Sequence, residues 1–379
     1  MAVKELGEAL HFACTVEFWR MAVFWTLSLI ISYLRLFAQS LFTQKSRSSA
    51  RRSAPPVPPP TTATHITTAT RRPVCIITGA TSGLGAAAAY AFSMEGFYVV
   101  LAGRSSHLLS KVMSDIRKRN KDAHLKAFQV DLSSFQSILK FKSSLQQWLL
   151  DSDMHSSVQL LINNAGILAT SCRLTAEGYD QMMATNYIGA FSLTKVLIPL
   201  LENSPVPSRI VNVTSFTHRN VSDIQVDKET ISGKCFSKLK CYPCAHIYEY
   251  SKLCLLFFSY ELHRQFGQME KSHQISVIAV DPGFVKTNIM REVPSCLSQV
   301  AFFVLKLVGL LQSPENGVCS ILDAALAPPE TSGVYFFGGN GRTLNSSALS
   351  YNTKLSEELW ATSCDLFLEL QLSSKDTST

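Results

Sequence analysis

The chain has 379 residues, of which 46% are hydrophobic and 17% charged, a composition that favours a large buried core over disorder. Six of the seven net positive charges belong to residues 43–72, so the rest of the chain, at 7 − 6 = +1, is close to neutral. This distribution excludes a nucleic-acid partner, which needs a basic surface on the folded domain. Ten cysteines in a chain of this length also exclude a small disulfide scaffold.

Residues 1–42 are predicted to form a membrane anchor. An uncharged run of fourteen residues, 21–34, lies between Arg20 and Arg35, whose long side chains can extend to the lipid headgroups. An uncleaved anchor is the preferred interpretation, while an in-plane helix and a targeting peptide stay open. Because the basic residues follow the apolar run, the positive-inside rule places the folded domain in the cytosol.

Residues 43–72 are predicted to be a linker. Their basic residues are Lys45, Arg47, Arg51, Arg52, Arg71 and Arg72. Residues 55–60 read PPVPPP and are followed by a threonine-rich stretch. This composition favours extended, solvated chain, which suits a spacer between membrane and folded domain.

Beyond residue 72, short β-branched runs alternate with segments of helical length. The runs begin at Val74, Phe97, Leu125, Val158, Arg209, Ile275 and Gly333. Continuous apolar strands separated by helices predict a Rossmann-like, doubly wound α/β fold with about seven parallel strands and helices on both faces. A ligand should then bind beyond the carboxyl ends of the strands.

A glycine-rich turn follows the first predicted strand and opens an alanine-rich helix. It reads TGATSGLG over residues 78–85 and contains Gly79, Ser82, Gly83, Leu84 and Gly85. Glycines here permit a tight turn and let the backbone approach a pyrophosphate at the helix N-terminus. The spacing TGxxxGxG differs from the common GxGxxG.

The TGxxxGxG spacing resembles the short-chain dehydrogenase/reductase family, and the remaining motifs follow in that family's order over about residues 73–340. By this resemblance the adenine contacts are Asp131 and Leu132. The NNAG motif supplies Asn164, Ala165 and Gly166, and the nicotinamide segment PGFVKT supplies Pro282, Gly283 and Thr287. The catalytic tetrad that the resemblance implies is Asn186, Ser215, Tyr248 and Lys252, the last two also binding NADP(H).

The chemistry of these residue types supports the same assignment. Reduction of a carbonyl needs a proton for the developing alkoxide, and a tyrosine with a pKa near 10 releases one poorly at neutral pH. Lys252 lies one helical turn beyond Tyr248, so its charge is expected to lower that pKa. Ser215 can donate to the substrate oxygen, and Asn186 is expected to hold a water that relays protons. Tyr250 is the competing tyrosine, but no lysine follows it at that distance.

Arg104 carries the prediction of cofactor preference. The second strand ends Ala-Gly-Arg-Ser at residues 102–105, with glycine where NAD-preferring members carry an acid. The arginine suits the 2′-phosphate of NADP(H) by charge and by bidentate geometry. A solvated turn residue is the alternative interpretation.

The spacing of the catalytic residues indicates a branch of the family. Ser215 and Tyr248 are 248 − 215 = 33 residues apart, and the excess resembles retinol dehydrogenase-like and protochlorophyllide reductase-like members. The N-terminal anchor and the domain layout resemble the plant FOREVER YOUNG oxidoreductase group. The layout gives residues 73–342 to the catalytic domain and 343–379 to a C-terminal helix and tail.

Two segments leave alternatives open. The first contains Cys235, Cys241, Cys244 and His246, for which zinc binding and thiols at the active-site mouth compete with a plain structural role, so that no metal is predicted. The second, residues 294–312, is strongly apolar and is expected to cover a lipophilic substrate and touch the bilayer.

The resulting prediction is an NADPH-linked oxidoreductase that interconverts a lipophilic aldehyde or ketone and its alcohol. We expect it at the endoplasmic reticulum with a cytosolic catalytic domain. A chloroplast envelope location is the alternative, against which Glu5, Glu8 and Glu17 argue. The rival function is a catalytically silent, membrane-tethered NADPH-binding sensor or scaffold, which would not need the tetrad. A homodimer stays open.

Overall fold

The structure is a computed structural model and describes residues 2–42, 72–152, 155–268 and 275–376. Within the predicted linker, only Arg72 belongs to these ranges. Its guanidinium donates to the Gly96 carbonyl oxygen at 3.2 Å. The proline-rich stretch and the other basic residues of the linker lie outside the described residues.

Seven parallel strands form the central sheet, and two short strands pair beside it. In chain order the strands are β1 (Val74–Thr78), β2 (Tyr98–Gly103), β3 (His124–Gln129), β4 (Leu160–Asn163), β5 (Ser208–Val213), β6 (Ile275–Asp281), β7 (Phe284–Val285), β8 (Leu311–Gln312) and β9 (Val334–Phe337). The sheet order is β3-β2-β1-β4-β5-β6-β9, with β7 pairing β8 separately. Every residue of β1, β4, β5 and β6 is buried, as strands covered on both faces must be. The predicted doubly wound fold is confirmed.

Helices cover both faces of the sheet. The α-helices are α1 (Ala2–Ala13), α2 (Val16–Trp19), α3 (Thr26–Phe42), α4 (Gly83–Met94), α5 (Ser106–Arg119), α6 (Phe135–Asp151), α7 (Gln181–Met183), α8 (Gly189–Glu202), α9 (Lys228–Ile231), α10 (Lys234–Ser237), α11 (Cys244–Gln268), α12 (Ser295–Leu307), α13 (Pro314–Ala325) and α14 (Thr353–Asp376). Helices α4, α5 and α13 bury their apolar side chains on one face of the sheet. Helices α6, α8, α11 and α14 pack into the core on the other face.

Helix α14 is the C-terminal helix that the sequence predicts, and it packs against α11 and α8 through aromatic rings. Trp360 stacks on Phe258 of α11 at 6.2 Å between centroids and meets Phe191 of α8 edge-on at 5.5 Å. Aromatic contacts of this kind stabilise beyond the apolar area that they bury. The C-terminal helix is therefore an integral layer of the fold.

The predicted anchor is helical and lies against the α/β fold that begins at β1, which is called the catalytic region because it contains the predicted tetrad. A π-helical segment, Arg20–Trp25, joins α2 to α3, so the helical run is continuous. Met21, Trp25, Leu29 and Leu36 are buried in the same core cluster as α11. By length and hydropathy the run Val16–Leu41 could cross a membrane, as could the core run Gln181–Glu202, which is 83% buried.

Candidate active site

A cavity of about 310 Å³ opens beyond the carboxyl ends of the central strands. The strand order reverses there between β1 and β4, which is where doubly wound folds bind ligands. All but one of the sequence-predicted site residues line this cavity: Gly79, Ser82, Gly83, Leu84, Gly85, Arg104, Asp131, Leu132, Asn164, Ala165, Gly166, Ser215, Tyr248, Lys252, Pro282, Gly283 and Thr287. The exception is Asn186, which is fully buried.

The glycine turn is packed too closely for side chains at two of its positions. Gly79 has a φ of 67°, and a Cβ built there would lie 2.8 Å from the Cα of Ala165. A Cβ at Gly85 would lie 2.3 Å from the Gly79 carbonyl oxygen. Asn164 fixes the turn, because its side-chain amide donates to the Thr78 carbonyl oxygen at 2.8 Å. Bare backbone at the N-terminus of α4 is the surface that a pyrophosphate fits.

The segment after β6 closes over this turn. A Cβ at Gly83 would lie 3.0 Å from the side chain of Thr287, so the glycine admits the close approach. Asp281 fixes the bend, since its Oδ1 accepts from the Gly283 backbone N–H at 2.7 Å. The segment that the sequence assigns to the nicotinamide end thus lies against the glycine turn.

The far end of the cavity carries the residues predicted for the adenosine. The Asp131 carboxylate accepts from the backbone and hydroxyl of Ser133, at 3.0 and 2.7 Å. Arg104 is exposed at the rim, and its carbonyl oxygen accepts from the Gln129 amide at 2.9 Å. The guanidinium is therefore accessible to a phosphate that binds at this end.

The proposed catalytic side chains meet at the opposite end. Tyr248 and Lys252 lie one turn apart on α11, and Ser215 hydrogen-bonds to Tyr248. Lys252 Nζ donates to the Val213 carbonyl oxygen at 3.0 Å, at the end of the strand that precedes Ser215. The same Nζ lies 5.7 Å from the centroid of the Tyr248 ring.

The sequence predicts that Lys252 lowers the pKa of Tyr248, but in the structure the pKa of Tyr248 is raised. Burial raises the pKa of Tyr248 above its usual value, the Asp281 charge adds to the rise, and the hydrogen bond with Ser215 opposes it. Burial also lowers the pKa of Lys252 to about 8, against the attraction of Asp281. Tyr248 therefore keeps its proton at neutral pH, as an acid should, while Lys252 stays largely charged.

Asn186 lies in a π-helical turn, Ala184–Ile188, between α7 and α8, an irregularity that often marks functional positions. Its Oδ1 accepts from the Ile167 N–H at 2.8 Å, and its Nδ2 donates to the Ile167 carbonyl oxygen at 2.9 Å. A Cβ at Gly166 would lie 3.5 Å from both Asn186 Oδ1 and Lys252 Nζ. Asn186 thus holds the NNAG segment beside the lysine.

Two buried ionisable residues beneath the catalytic group were missed by sequence reasoning. Asp281 is fully buried and its Oδ2 accepts from the Tyr335 hydroxyl at 2.7 Å, while burial raises its pKa to about 6. His218 Nε2 accepts from the Ser347 N–H, so Nδ1 donates to the Ser215 carbonyl oxygen at 2.6 Å. Burial lowers the pKa of His218 to about 3, which keeps it neutral. The sequence could have indicated Asp281, because an acidic residue ends an apolar strand there. No sequence pattern pointed to His218.

Trp25 is the residue of the cavity wall that lies furthest from the others in sequence. Its ring centroid lies 5.4 Å from that of Tyr248, and its Nε1 donates to Glu249 Oε1 at 2.6 Å. Arg20 Nε donates to the other oxygen of Glu249 at 2.8 Å. The predicted anchor therefore forms part of the active-site wall.

The structure separates Tyr250 from Tyr248. The Tyr250 hydroxyl donates to the Gln225 carbonyl oxygen in the segment between Ser215 and α11. It does not border the cavity, although its ring is buried. Tyr248 is thus the tyrosine of α11 that a substrate could reach.

The cysteines of that segment are not gathered into a metal site. Among the residues that the structure describes, no cluster of three or more His, Cys, Asp or Glu side chains is placed to hold a metal. Cys241 is exposed and Cys244 buried, and His246 packs against the rings of Phe236 and Tyr250. None of these thiols lines the cavity.

Residues 294–312, which the sequence predicts to cover the substrate, do not line the cavity. Helix α12 lies outside the cavity, whose described lining includes Ile289, Met290 and Arg291 but no residue of α12. Val300, Phe303 and Leu307 of α12 are more than 60% exposed. Trp25 of the N-terminal run lines the cavity, whereas no residue of 294–312 does.

Comparisons with known proteins show which family the chain belongs to. The sequence profile of the short chain dehydrogenase family matches residues 73–225. Polyprenol dehydrogenase from Homo sapiens is 31% identical over 301 residues, which cover 77% of this chain and 84% of that protein. The dehydrogenase/reductase SDR family member FEY from Arabidopsis thaliana is 28% identical, over 77% of each chain.

Two further relatives extend the comparison. Retinol dehydrogenase 11 from Homo sapiens is 28% identical over 77% of this chain and 85% of its own. The solved structure of actinorhodin polyketide ketoreductase with NADPH matches with a TM-score of 0.54 and 21% identity, over 71% of this chain and 96% of that one. The family match and the polyprenol dehydrogenase relative show an oxidoreductase of the nicotinamide-dependent class. The chain belongs to the short-chain dehydrogenase/reductase family, in its retinol dehydrogenase-like branch.

Proposed function

We propose that the protein is an NADPH-linked oxidoreductase that interconverts a lipophilic aldehyde or ketone and its alcohol. The observation that carries this proposal is the joining of the glycine turn, Tyr248, Ser215 and Lys252 in one cavity. A protein that only bound a dinucleotide would need the glycine turn and Lys252, but it would not need a proton-donating Tyr248 with Ser215 beside it.

The cofactor supplies the hydride, and the chain's own residues supply position and a proton. With the cofactor bound, the glycine turn and the NNAG segment would hold the pyrophosphate and the adjoining ribose, and Lys252 would donate hydrogen bonds to the nicotinamide ribose. Arg104 would pair with the 2′-phosphate. Gly79 and Gly85 allow the tight turn that presents bare backbone to such a group, because a Cβ at either position would lie within 3 Å of other backbone atoms.

Proton transfer follows from the state of Tyr248. Its raised pKa keeps the hydroxyl protonated until charge develops on the substrate oxygen, at which point the hydroxyl donates. Ser215 donates a second hydrogen bond to that oxygen and stabilises it. In the oxidation direction Tyr248 accepts the proton back, and Lys252 stabilises the tyrosinate.

The lipophilic substrate class has two supports. Trp25, Phe216, Ile289 and Met290 give the catalytic end of the cavity an apolar rim. The names of two relatives, a polyprenol dehydrogenase and a retinol dehydrogenase, refer to lipid alcohols. A long-chain isoprenoid aldehyde, retinal and a steroid ketone are therefore the substrates to compare.

Membrane association is part of the proposal. The apolar run Val16–Leu41 and the basic residues that follow it in sequence favour attachment to a membrane, and the cytosolic side is the proposed location of the catalytic domain. The division into residues 1–42, 43–72, 73–342 and 343–379 stays our proposed domain layout. The endoplasmic reticulum is the proposed membrane, and the chloroplast envelope is the alternative.

The test is NADPH oxidation by the purified chain with those three carbonyl substrates, in the unmodified protein and in two matched variants. Tyr248→Phe removes the reacting hydroxyl and should lower kcat by about 10²–10⁴ while NADPH still binds. Tyr250→Phe removes a hydroxyl that bonds to Gln225 and should leave kcat within about twofold. NADPH binding without turnover of any substrate would favour the silent sensor, and loss of turnover only in Tyr250→Phe would show that the tyrosine is misassigned.

A further inference from the structure

The helical run Val16–Leu41 has two faces of opposite character. One face is exposed and apolar, and its large side chains recur every three or four residues, which is the period of a helix. They are Val16, Trp19, Val23, Phe24, Leu27, Ile30, Ile31, Leu34, Phe37 and Leu41, each between 37% and 79% exposed. A stripe of this length is not stable against water, so another apolar phase must cover it.

The other face carries polar side chains, and the catalytic region pairs them. Glu17 accepts from the Ala245 N–H at 2.7 Å, in the first turn of α11. Ser28 donates to the side chain of Asn220. The Tyr33 hydroxyl accepts from the Gln312 amide at 2.8 Å, beside the nicotinamide segment. These bonds hold the run along its length.

Glu249 makes this docking costly to undo. Its carboxylate is fully buried, and its partners include Arg20 and Trp25 of the N-terminal run together with Asn220. Withdrawing the run into a bilayer would leave this buried carboxylate without its cation, which is unfavourable. The run therefore stays on the catalytic region while its outer face is free to meet lipid.

We propose that the run Val16–Leu41 does not span the membrane but lies in the plane of one leaflet, its outer face in the acyl chains and its inner face on the catalytic region. This inference rests on the membrane association proposed above. The exposed Arg35, the exposed Lys306 of α12 and the cationic residues that follow the run in sequence complement anionic headgroups.

In this proposal a lipid leaflet covers the exposed apolar face of the run Val16–Leu41. Helix α12 adds a second exposed apolar strip, with Val300, Phe303, Val304 and Leu307, and α1 packs against it. Trp25 lies on the inner face of the same run and lines the cavity, so one helix carries both a wall of the active site and the face proposed to meet the leaflet.

The first test is the sidedness of the full chain in intact microsomes, with one epitope at the N-terminus and one at the C-terminus. An in-plane run leaves both epitopes on the same side, so added protease removes both or neither. A spanning run leaves them on opposite sides, so only one epitope survives. The proposal would be overturned if one epitope survived protease in intact microsomes and was cleaved once detergent was added.

The second test is flotation with phosphatidylcholine vesicles, with and without phosphatidylserine. The double variant Leu27→Glu/Leu34→Glu places two charges on the outer face and should lower the vesicle-bound fraction at least tenfold. The matched control Leu150→Glu/Leu372→Glu places two charges on exposed leucines of α6 and α14 and should float like the unmodified chain. Phosphatidylserine should increase binding of the unmodified chain and the control.

Two other outcomes of the flotation test would contradict the lipid proposal. If the unmodified chain is a dimer that does not float, and Leu27→Glu/Leu34→Glu makes it a monomer, then the face binds a second copy and the lipid proposal is wrong. Equal flotation of all variants would overturn it as well. Turnover of a short, water-soluble aldehyde is measured on the same samples, so failure of the proposed enzymatic function is read separately from failure of the lipid contact.

Discussion

The two ends of the cavity are assembled in different ways. At the cofactor end, each contributing segment directly follows a strand of the sheet: the glycine turn follows β1, Arg104 follows β2, and the NNAG residues end β4. At the substrate end, Trp25, Phe216 and Met290 come from three unrelated parts of the chain. The sheet alone positions the first set, whereas the second set depends on how separate segments dock. We expect changes at the cofactor end to alter affinity for NADPH steeply, and changes at the substrate end to act on substrate selection.

The largest expected effect at the cofactor end is that of Gly85→Ala. The added Cβ would lie 2.3 Å from the Gly79 carbonyl oxygen, so the turn must shift and the pyrophosphate site with it. We expect the Kd for NADPH, measured by fluorescence titration, to rise about 100-fold, or about 2.7 kcal/mol. Gly267→Ala is the control, because a Cβ there has nothing within 4 Å. Equal affinity in both variants would contradict the assignment of the turn.

The affinity for NADPH should also depend on pH through Lys252. Burial lowers the pKa of Lys252 to about 8, so the ammonium is charged below that pH and neutral above it. NADPH affinity should be constant from pH 6 to about 7.5 and fall by up to about tenfold per pH unit above pH 8. Lys252→Met should bind weakly at every pH and lose this dependence. A flat profile in the unmodified protein would show that the charge of Lys252 does not contribute to binding.

A smaller effect is expected from Arg104, which lies at the rim of the cofactor end. The unmodified protein should bind NADPH at least about tenfold more tightly than NADH, which corresponds to about 1.4 kcal/mol. Arg104→Asp should narrow or reverse that ratio, because it repels the 2′-phosphate. Lys111→Asp makes the same charge change at an exposed position of α5 and should keep the ratio. Equal affinities for the two cofactors in the unmodified protein would refute the predicted preference.

The smallest effect, and the one that probes the substrate end, is that of Trp25→Ala. Removing the indole opens the wall beside Tyr248, so KM for a long-chain lipophilic aldehyde should rise about three- to tenfold. Affinity for NADPH should stay the same, since the glycine turn is untouched. Trp19→Ala serves as the control, because Trp19 is 58% exposed on the outer face of the run. An equal loss of NADPH affinity in Trp25→Ala would mean that the two ends are not separable.

Most of the cofactor end could be predicted because its signals are local. The strand that ends at Thr78, the glycines at 79, 83 and 85, and the lysine one turn beyond Tyr248 each specify a backbone feature within a few residues. The pKa of Tyr248 could not be predicted in the same way, because it depends on burial and on Asp281. These terms arise only when β6 and α11 are packed together.

The sequence by itself determined the doubly wound sheet, the family and the residues gathered at the switch point, because hydrophobic period and turn chemistry act over short distances along the chain. Only the tertiary structure decided that the N-terminal run lies on the catalytic region. The hydropathy of residues 21–34 is the same for a helix that spans a bilayer and for one that docks through its inner face. The difference lies in partners more than 190 residues away in the chain, Glu249 for Arg20 and Asn220 for Ser28, and no local pattern encodes such a distant pairing.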